Sequence, residues 1–328
     1  MRKLQVVFLL VGLGALAWMV YRVGPSTLAD GMLSIGFGFA FTCSAHLGAL
    51  LLDAVTLRAC AGREKAPPYL HFARTSIAGH GINESTPFGK LGEITKYSLL
   101  REKLPADRAA GALVAQTICM FVVNCGLIAL GAPIAFFVFD TRGPAAAMFW
   151  VASGVFLCAG AVGLLILHRG LGRWPFVLLR HAGLGRFRPS KRRVDKWRAG
   201  WRKVETAWQA TADDKKAREA AWLSAIGSRM CNVLETALIL YFLGGDRIIA
   251  AAVLSLGGSQ MVGWLFSFVP MGAGTAEGGA YVVFRAAGLS PDLGVMVEIG
   301  RKLRRVVFIT LGVAVLGWDA FRAQRRAE

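Results

Sequence analysis

The chain has 328 residues, 55% of them hydrophobic and 18% charged, with a mean hydropathy of +0.50. Soluble domains carry about 25% charged residues, so this composition excludes a soluble globular protein and points to an all-α polytopic membrane protein. The formal charge is +18, and residues 169–218 hold 15 Lys or Arg against 4 Asp or Glu, a net +11 in one loop. A block of this kind also occurs in nucleic-acid-binding tails. Between apolar spans it reads more simply as the cytoplasmic side of a positive-inside protein, with anionic membrane lipids as its partner and no nucleic acid.

Arg2 and Lys3 precede an apolar run over residues 4–21. A cleaved signal peptide is the rival reading, with Ala15-Leu16-Ala17 as its cleavage site. The length of the run and the spans that follow favour a retained first helix with its N-terminus in the cytoplasm. Residues 32–57 form a second span carrying His46 and Asp53, seven positions apart and so on one helical face. They form either a proton relay or, as is preferred, two polar side chains that hydrogen-bond inside the bundle. Residues 58–65 are a basic loop, and Pro67-Pro68 restarts the chain. Residues 69–82 are too short and polar for a full span, and with the following break they read as a re-entrant or half-length helix over 69–93.

Residues 83–96 read Asn-Glu-Ser-Thr-Pro-Phe-Gly-Lys-Leu-Gly-Glu-Ile-Thr-Lys. Pro87, Gly89 and Gly92 interrupt the helix, while Asn83, Glu84, Glu93 and Lys96 place amide, carboxylate and ammonium groups near lipid. Ionisable groups at membrane depth are costly and mark functional sites by default. Beyond them Tyr97, Leu100 and Leu104 recur at helical spacing among charges, an interfacial amphipathic pattern. Residues 109–139 are a long apolar stretch with Gln116 and Asn124, amides that join helices. A turn at 140–144 leads to a span over 145–167.

Within the basic loop, 168–220, Trp197, Trp201 and Trp208 share one helical face, flanked by Arg198 and Arg202. That pattern suits a helix lying in the headgroup layer; a calmodulin-type partner or packing on the bundle would look similar. The span over 221–243 contains Arg229, Asn232 and Glu235, with Arg229 able to meet Glu235 only obliquely. After a span over 248–269 comes a second break, 270–288, with Pro270, Gly272, Gly274 and Glu277 echoing the first. Paired breaks in corresponding halves point to the substrate site of a transporter built from repeats. The last segment, 293–318, carries Glu298 and Arg301 one turn apart, as an ion pair or with Arg301 on an anionic headgroup. Arg304 and Arg305 read as a helix end at the interface, and Arg322, Arg325 and Arg326 suggest a cytoplasmic C-terminus.

About seven to eight transmembrane helices result, arranged as a first membrane half (1–168), a basic cytoplasmic linker (169–220) and a second membrane half (221–328). Six scattered cysteines lack CxxC spacing and read as packing residues, neither disulfides nor a metal site. No nucleotide loop, HExxH or GxSxG is present, so no catalytic residue, metal or cofactor is assigned. His46, His71 and His80 are the acid–base candidates if the chain is a membrane-embedded transferase.

The run Asn83, Pro87, Gly92-Glu93-x-x-Lys96 and the later Pro270, Gly272, Gly274, Glu277, Arg301 pattern resemble the lysylphosphatidylglycerol synthase transmembrane region, also called the flippase-like membrane family. The resemblance extends over nearly the whole chain. Leu91 replaces a glycine of the family run, and Lys96 stands where arginine is usual. It implies a membrane domain that moves lipids with polar or charged headgroups between leaflets, here without the soluble aminoacyl-transfer domain found in some members. Glu93, Glu277 and Glu298 would meet a cationic headgroup part, and Lys96, Arg229 and Arg301 a phosphate; equally, these charges would pair with one another and hold the broken helices in place. The alternatives are a non-transporting partner of a separate lipid- or glycan-modifying enzyme and a membrane-embedded lipid transferase. The expected location is the inner (plasma) membrane.

Overall fold

The computed structural model describes residues 33, 35–62, 66–86, 91–169, 205–206, 209, 213–265 and 275–325. Among these, ten helices are built: α1 Gly38–Cys60, α2 Tyr69–Ser85, α3 Leu91–Leu100, α4 Ala106–Ala129, α5 Gly131–Phe137, α6 Gly143–Arg169, α7 Lys215–Phe242, α8 Ile248–Leu265, α9 Thr275–Ala286 and α10 Pro291–Arg325. Four stretches are long and apolar enough to cross a membrane: Gly38–Cys60, Ala106–Phe137, Gly143–Leu167 and Lys215–Phe242. On α6, Val151, Val155, Leu157, Val162 and Leu165 are exposed, an outward apolar face that hydrocarbon covers without cost. The expected first span (residues 4–21) and the Trp helix (Trp197, Trp201, Trp208, Arg198, Arg202) lie outside the described residues. So do Pro87, Gly89, Pro270, Gly272 and Gly274.

Local chemistry sets several boundaries. Pro291 opens α10, where its missing N–H costs nothing, and Asp214 caps α7 by accepting from the Lys216 and Ala217 amides. The apolar stretch expected over 109–139 divides at Leu130 into α4 and α5, because Pro133 has no amide to donate into the preceding turn. The nearby Ala132 amide turns instead to Ser153 Oγ on α6, at 3.2 Å.

The first broken segment folds as two short helices that pack on each other, α2 and α3. In the second, 270–288, the described residues form α9, which packs on the preceding span, α8. At 1.5 Å per residue, the 17 residues of α2 reach about 25 Å, short of a hydrocarbon core of roughly 30 Å. Asn83 and Glu84 belong to α2 itself, ahead of the break. Glu93 and Glu277 each sit in the first turn of the helix that follows a break, where a helix dipole favours an anion.

The α3 segment corrects the interfacial reading. Leu100 is fully buried, Leu99 and Leu104 nearly so, and Tyr97 packs against the same core as Phe72 and Leu57. Its apolar stripe faces protein, not lipid. The extensive α1–α7 contact joins the two halves, and α2 lies along α10. There Gly81 and Gly312 touch backbone to backbone: a Cβ at Gly81 would stand 2.9 Å from the Gly312 Cα. Small residues at such crossings let membrane helices approach closely.

Candidate functional site

Helix α10 carries Arg301, Lys302, Arg304 and Arg305 within five residues. At 3.6 residues per turn they cover an arc of about 160°, and each meets a carboxylate. Arg301 donates to Ser259 Oγ at 2.7 Å, to Thr236 Oγ1 at 2.9 Å and to Glu298. Lys302 pairs with Glu277 of α9. Arg304 Nη1 donates to both oxygens of Glu235 on α7, at 2.9 and 2.8 Å. The Arg305 Nε lies 2.9 Å from Glu84 Oε2 on α2.

Burial makes this pairing obligatory. Glu235 and Glu298 are 2% exposed, and Arg301, Lys302 and Arg304 between 6 and 8%. Each unpaired ion would cost several kcal/mol at such a place even after relaxation. Four cations on one helix against four carboxylates leave no net charge. The expected helix end at Arg304 and Arg305 is therefore corrected: α10 continues to Arg325, and both side chains bind acids from other helices.

His46 extends the network. Its Nδ1 is 2.9 Å from Glu235 Oε2 and 2.6 Å from Arg304 Nη1, and its Nε2 is 3.1 Å from His80 Nε2. His80 in turn lies 3.8 Å from Glu84 Oε1. The preferred expectation of hydrogen bonding within the bundle holds for both His46 and Asp53, though with different partners. Asp53 accepts from Ser228 Oγ at 2.5 Å and lies 3.6 Å from Arg229. Arg229 thus meets α1, and the oblique meeting with Glu235 does not occur. Gln116 joins α4 to α1 by donating to the Asp53 carbonyl at 2.8 Å.

A smaller cluster locks the first broken segment. Asn83 accepts from the Gly92 amide at 2.8 Å and donates to Glu93 Oε1 at 3.1 Å, while Lys96 donates to the same oxygen at 2.9 Å. Facing pairs Asn83–Gly92 and Gly79–Lys96 make α2 and α3 antiparallel. A Cβ on Gly92 would overlap the Gly79 carbonyl, so glycine is required by closeness alone.

Of the residues singled out in the sequence, Glu84, Glu235, Glu277, Glu298 and Arg301 converge on one stretch of α10. Asn83, Gly92, Glu93 and Lys96 form the adjoining cluster, and Arg229 stands apart with Asp53. Sequence reasoning left out Lys302, Arg304 and Arg305 as site residues and named His46 and His80 only as acid–base candidates of a transferase. The available signal was that an apolar run continues past Arg305 for another three turns. Among the described residues no group of three or more His, Cys, Asp or Glu is placed to hold a metal ion.

An all-α polytopic membrane protein with a buried, paired charge network is the class these features define. The family described as the lysylphosphatidylglycerol synthase TM region matches residues 5–312. The chain belongs to that family and is an integral membrane protein involved in lipid handling. Comparison with curated proteins gave no match.

Proposed function

We propose that this protein translocates a lipid between leaflets, passing its polar or charged headgroup along the charges gathered on α10. The supporting observation is the row of four cations, Arg301, Lys302, Arg304 and Arg305, the first three buried and the last half-buried, each paired with a carboxylate from its own or a neighbouring helix. A headgroup crossing hydrocarbon needs compensation for its charge. Paired ions supply it by exchange: a phosphate takes the place of a carboxylate on arginine, and a cationic group takes the place of arginine on a carboxylate. Arginine suits this role because its planar fork binds phosphate and carboxylate in the same bidentate geometry. We place the protein in the inner (plasma) membrane with the basic stretch 169–220 on the cytoplasmic, anionic surface.

The test is reconstitution into liposomes with fluorescent lipids of several headgroups, following dithionite quenching. Headgroup-dependent exchange that falls in Glu93→Gln, Glu277→Gln and Arg301→Gln supports translocation. Equal rates in wild-type, variant and empty vesicles, with folded protein, would refute it and turn attention to a partner role.

A further inference from the structure

We propose that His46 and His80 form a proton-binding site whose occupancy decides whether Arg304 is held within the protein or released to an anionic phosphate. This rests on the headgroup path proposed above and adds the proton as a second ligand.

The contacts of His46 cannot all be hydrogen bonds in one protonation state. A carboxylate only accepts, so the Glu235 contact needs a proton on Nδ1. A guanidinium only donates, so the Arg304 contact needs the Nδ1 lone pair. Both contacts are on the same nitrogen, at 2.9 and 2.6 Å. The Nε2–Nε2 contact to His80, at 3.1 Å, needs one proton between the two rings. With its proton on Nε2, neutral His46 donates to His80 and accepts from Arg304. Adding a proton at Nδ1 makes an imidazolium that donates to Glu235 and His80 together. Arg304 then faces a positive charge where it had an acceptor. Proton and Arg304 therefore compete for Glu235.

Arg304 is ready for another partner. Its buried Nε has no hydrogen-bond partner among the described residues. Nε and Nη2, which lie on the same side of the guanidinium, present the fork that a phosphate accepts. The charges around His46 explain why the two ligands would bind together. From α7 it faces Glu235, with Arg301 beyond; from α10, Arg304 and the Phe308 ring at 4.6 Å. From α2 it faces His80 and Glu84, the latter held by Arg305, and Lys96 of α3 acts on His80 through space. On α1 itself lie Cys43, near Glu235 and Arg304, and, two turns from His46, Asp53, held by Ser228 and Arg229. The nearest acids and arginines balance two against two, so one added proton leaves a net positive charge that a phosphate monoanion neutralises.

The side chains of His80 and Glu84 are each 21% exposed, against 6% and 2% for His46 and Glu235. His80 takes a proton from water at Nδ1 and passes its Nε2 proton to the Nε2 of His46 when His46 carries its own proton on Nδ1. That leaves His46 doubly protonated and His80 neutral; release reverses these steps. Only N–H bonds form and break.

The experiment measures the affinity of purified full-length protein, in a phosphate-free detergent, for short-chain phosphatidylglycerol between about pH 4 and 8, a range that extends well below an ordinary histidine. A phosphodiester does not titrate there. Binding is expected to weaken as pH rises, approaching about tenfold per pH unit, because the ligand and one proton favour each other reciprocally. In His46→Gln the profile flattens, whatever the absolute affinity. His80→Gln, at the more exposed edge, does the same and serves if His46→Gln misfolds. Dimethyl phosphate in a parallel arm separates a headgroup from a free anion; the same pH slope there supports the linkage and identifies the phosphate group as the ligand. A pH-independent wild-type affinity, or an unchanged slope in both variants, overturns the proton site and leaves the headgroup path standing. No phosphodiester binding at any pH overturns both.

Discussion

Replacing Glu235 by glutamine tests whether the buried network is held by charge. The residue is 2% exposed, accepts from Arg304 through both oxygens and contacts His46. Glutamine keeps the shape and one acceptor but leaves Arg304 buried without its counter-charge. Breaking a buried pair from one side costs about 3–5 kcal/mol, and the retained amide oxygen places this case near the lower end, about 3 kcal/mol. Reversible unfolding in mixed SDS micelles, followed by tryptophan fluorescence, would measure it. Arg304→Gln alone should cost a similar amount, since it orphans Glu235. The double variant Glu235→Gln/Arg304→Gln removes both charges, so its cost should fall below the sum of the singles by at least about 1 kcal/mol. Strict additivity, or a loss below about 1 kcal/mol in Glu235→Gln, would refute the view that this pair is a dry, mutually dependent ion pair.

Arg301→Lys preserves charge but cannot reach Thr236, Ser259 and Glu298 together; a loss of about 2 kcal/mol in the same unfolding assay is expected. Asn83→Ala removes the acceptor for the Gly92 amide and should cost about 1–3 kcal/mol, with faster proteolysis between α2 and α3 as a second readout. Gly81→Ala pushes a methyl group against the α10 backbone and should destabilise by about 1–3 kcal/mol, whereas Gly126→Ala, with open space around its Cβ position, should not. Cys158, exposed on the apolar face of α6, should resist a membrane-impermeant maleimide in liposomes and react once detergent is added.

Much of the architecture was legible because apolar periodicity is local. The spans around His46, Gln116 and Glu235 appear in the structure within about six residues of their expected ends, and a break after Ser85 is expected from Pro87 and its glycines. Pairing was not legible, because it is long-range. Glu235 and Arg304 are 69 positions apart, and His46 and Glu235 are 189 apart, separations that carry no pattern. Adjacent arginines after an apolar run look like a helix leaving the bilayer, and only packing by α2 and α7 keeps Arg304 and Arg305 inside. The stripe of Tyr97, Leu100 and Leu104 reads the same whether lipid or protein covers it, so α3 was misplaced for a reason that more careful counting would not remove.

The contact between Gly81 and Gly312 bears on how the α2–α3 hairpin moves. Two backbones meet there directly, and Ala78 and Ile82 pack beside the crossing against Leu316 of α10, so the crossing is a fixed point of the hairpin. What sets the tilt of the hairpin is then the clasp one turn away, where Glu84 holds Arg305 and His80 meets His46. Phe72, Ala78 and Ile82 keep α2 packed in the core, so opening that clasp would loosen the Glu84 end of α2 while the rest stays anchored. A change in charge at Glu84 or His80 therefore acts first on the end of α2 that carries Asn83, whose bonds to Gly92 and Glu93 pass it to α3.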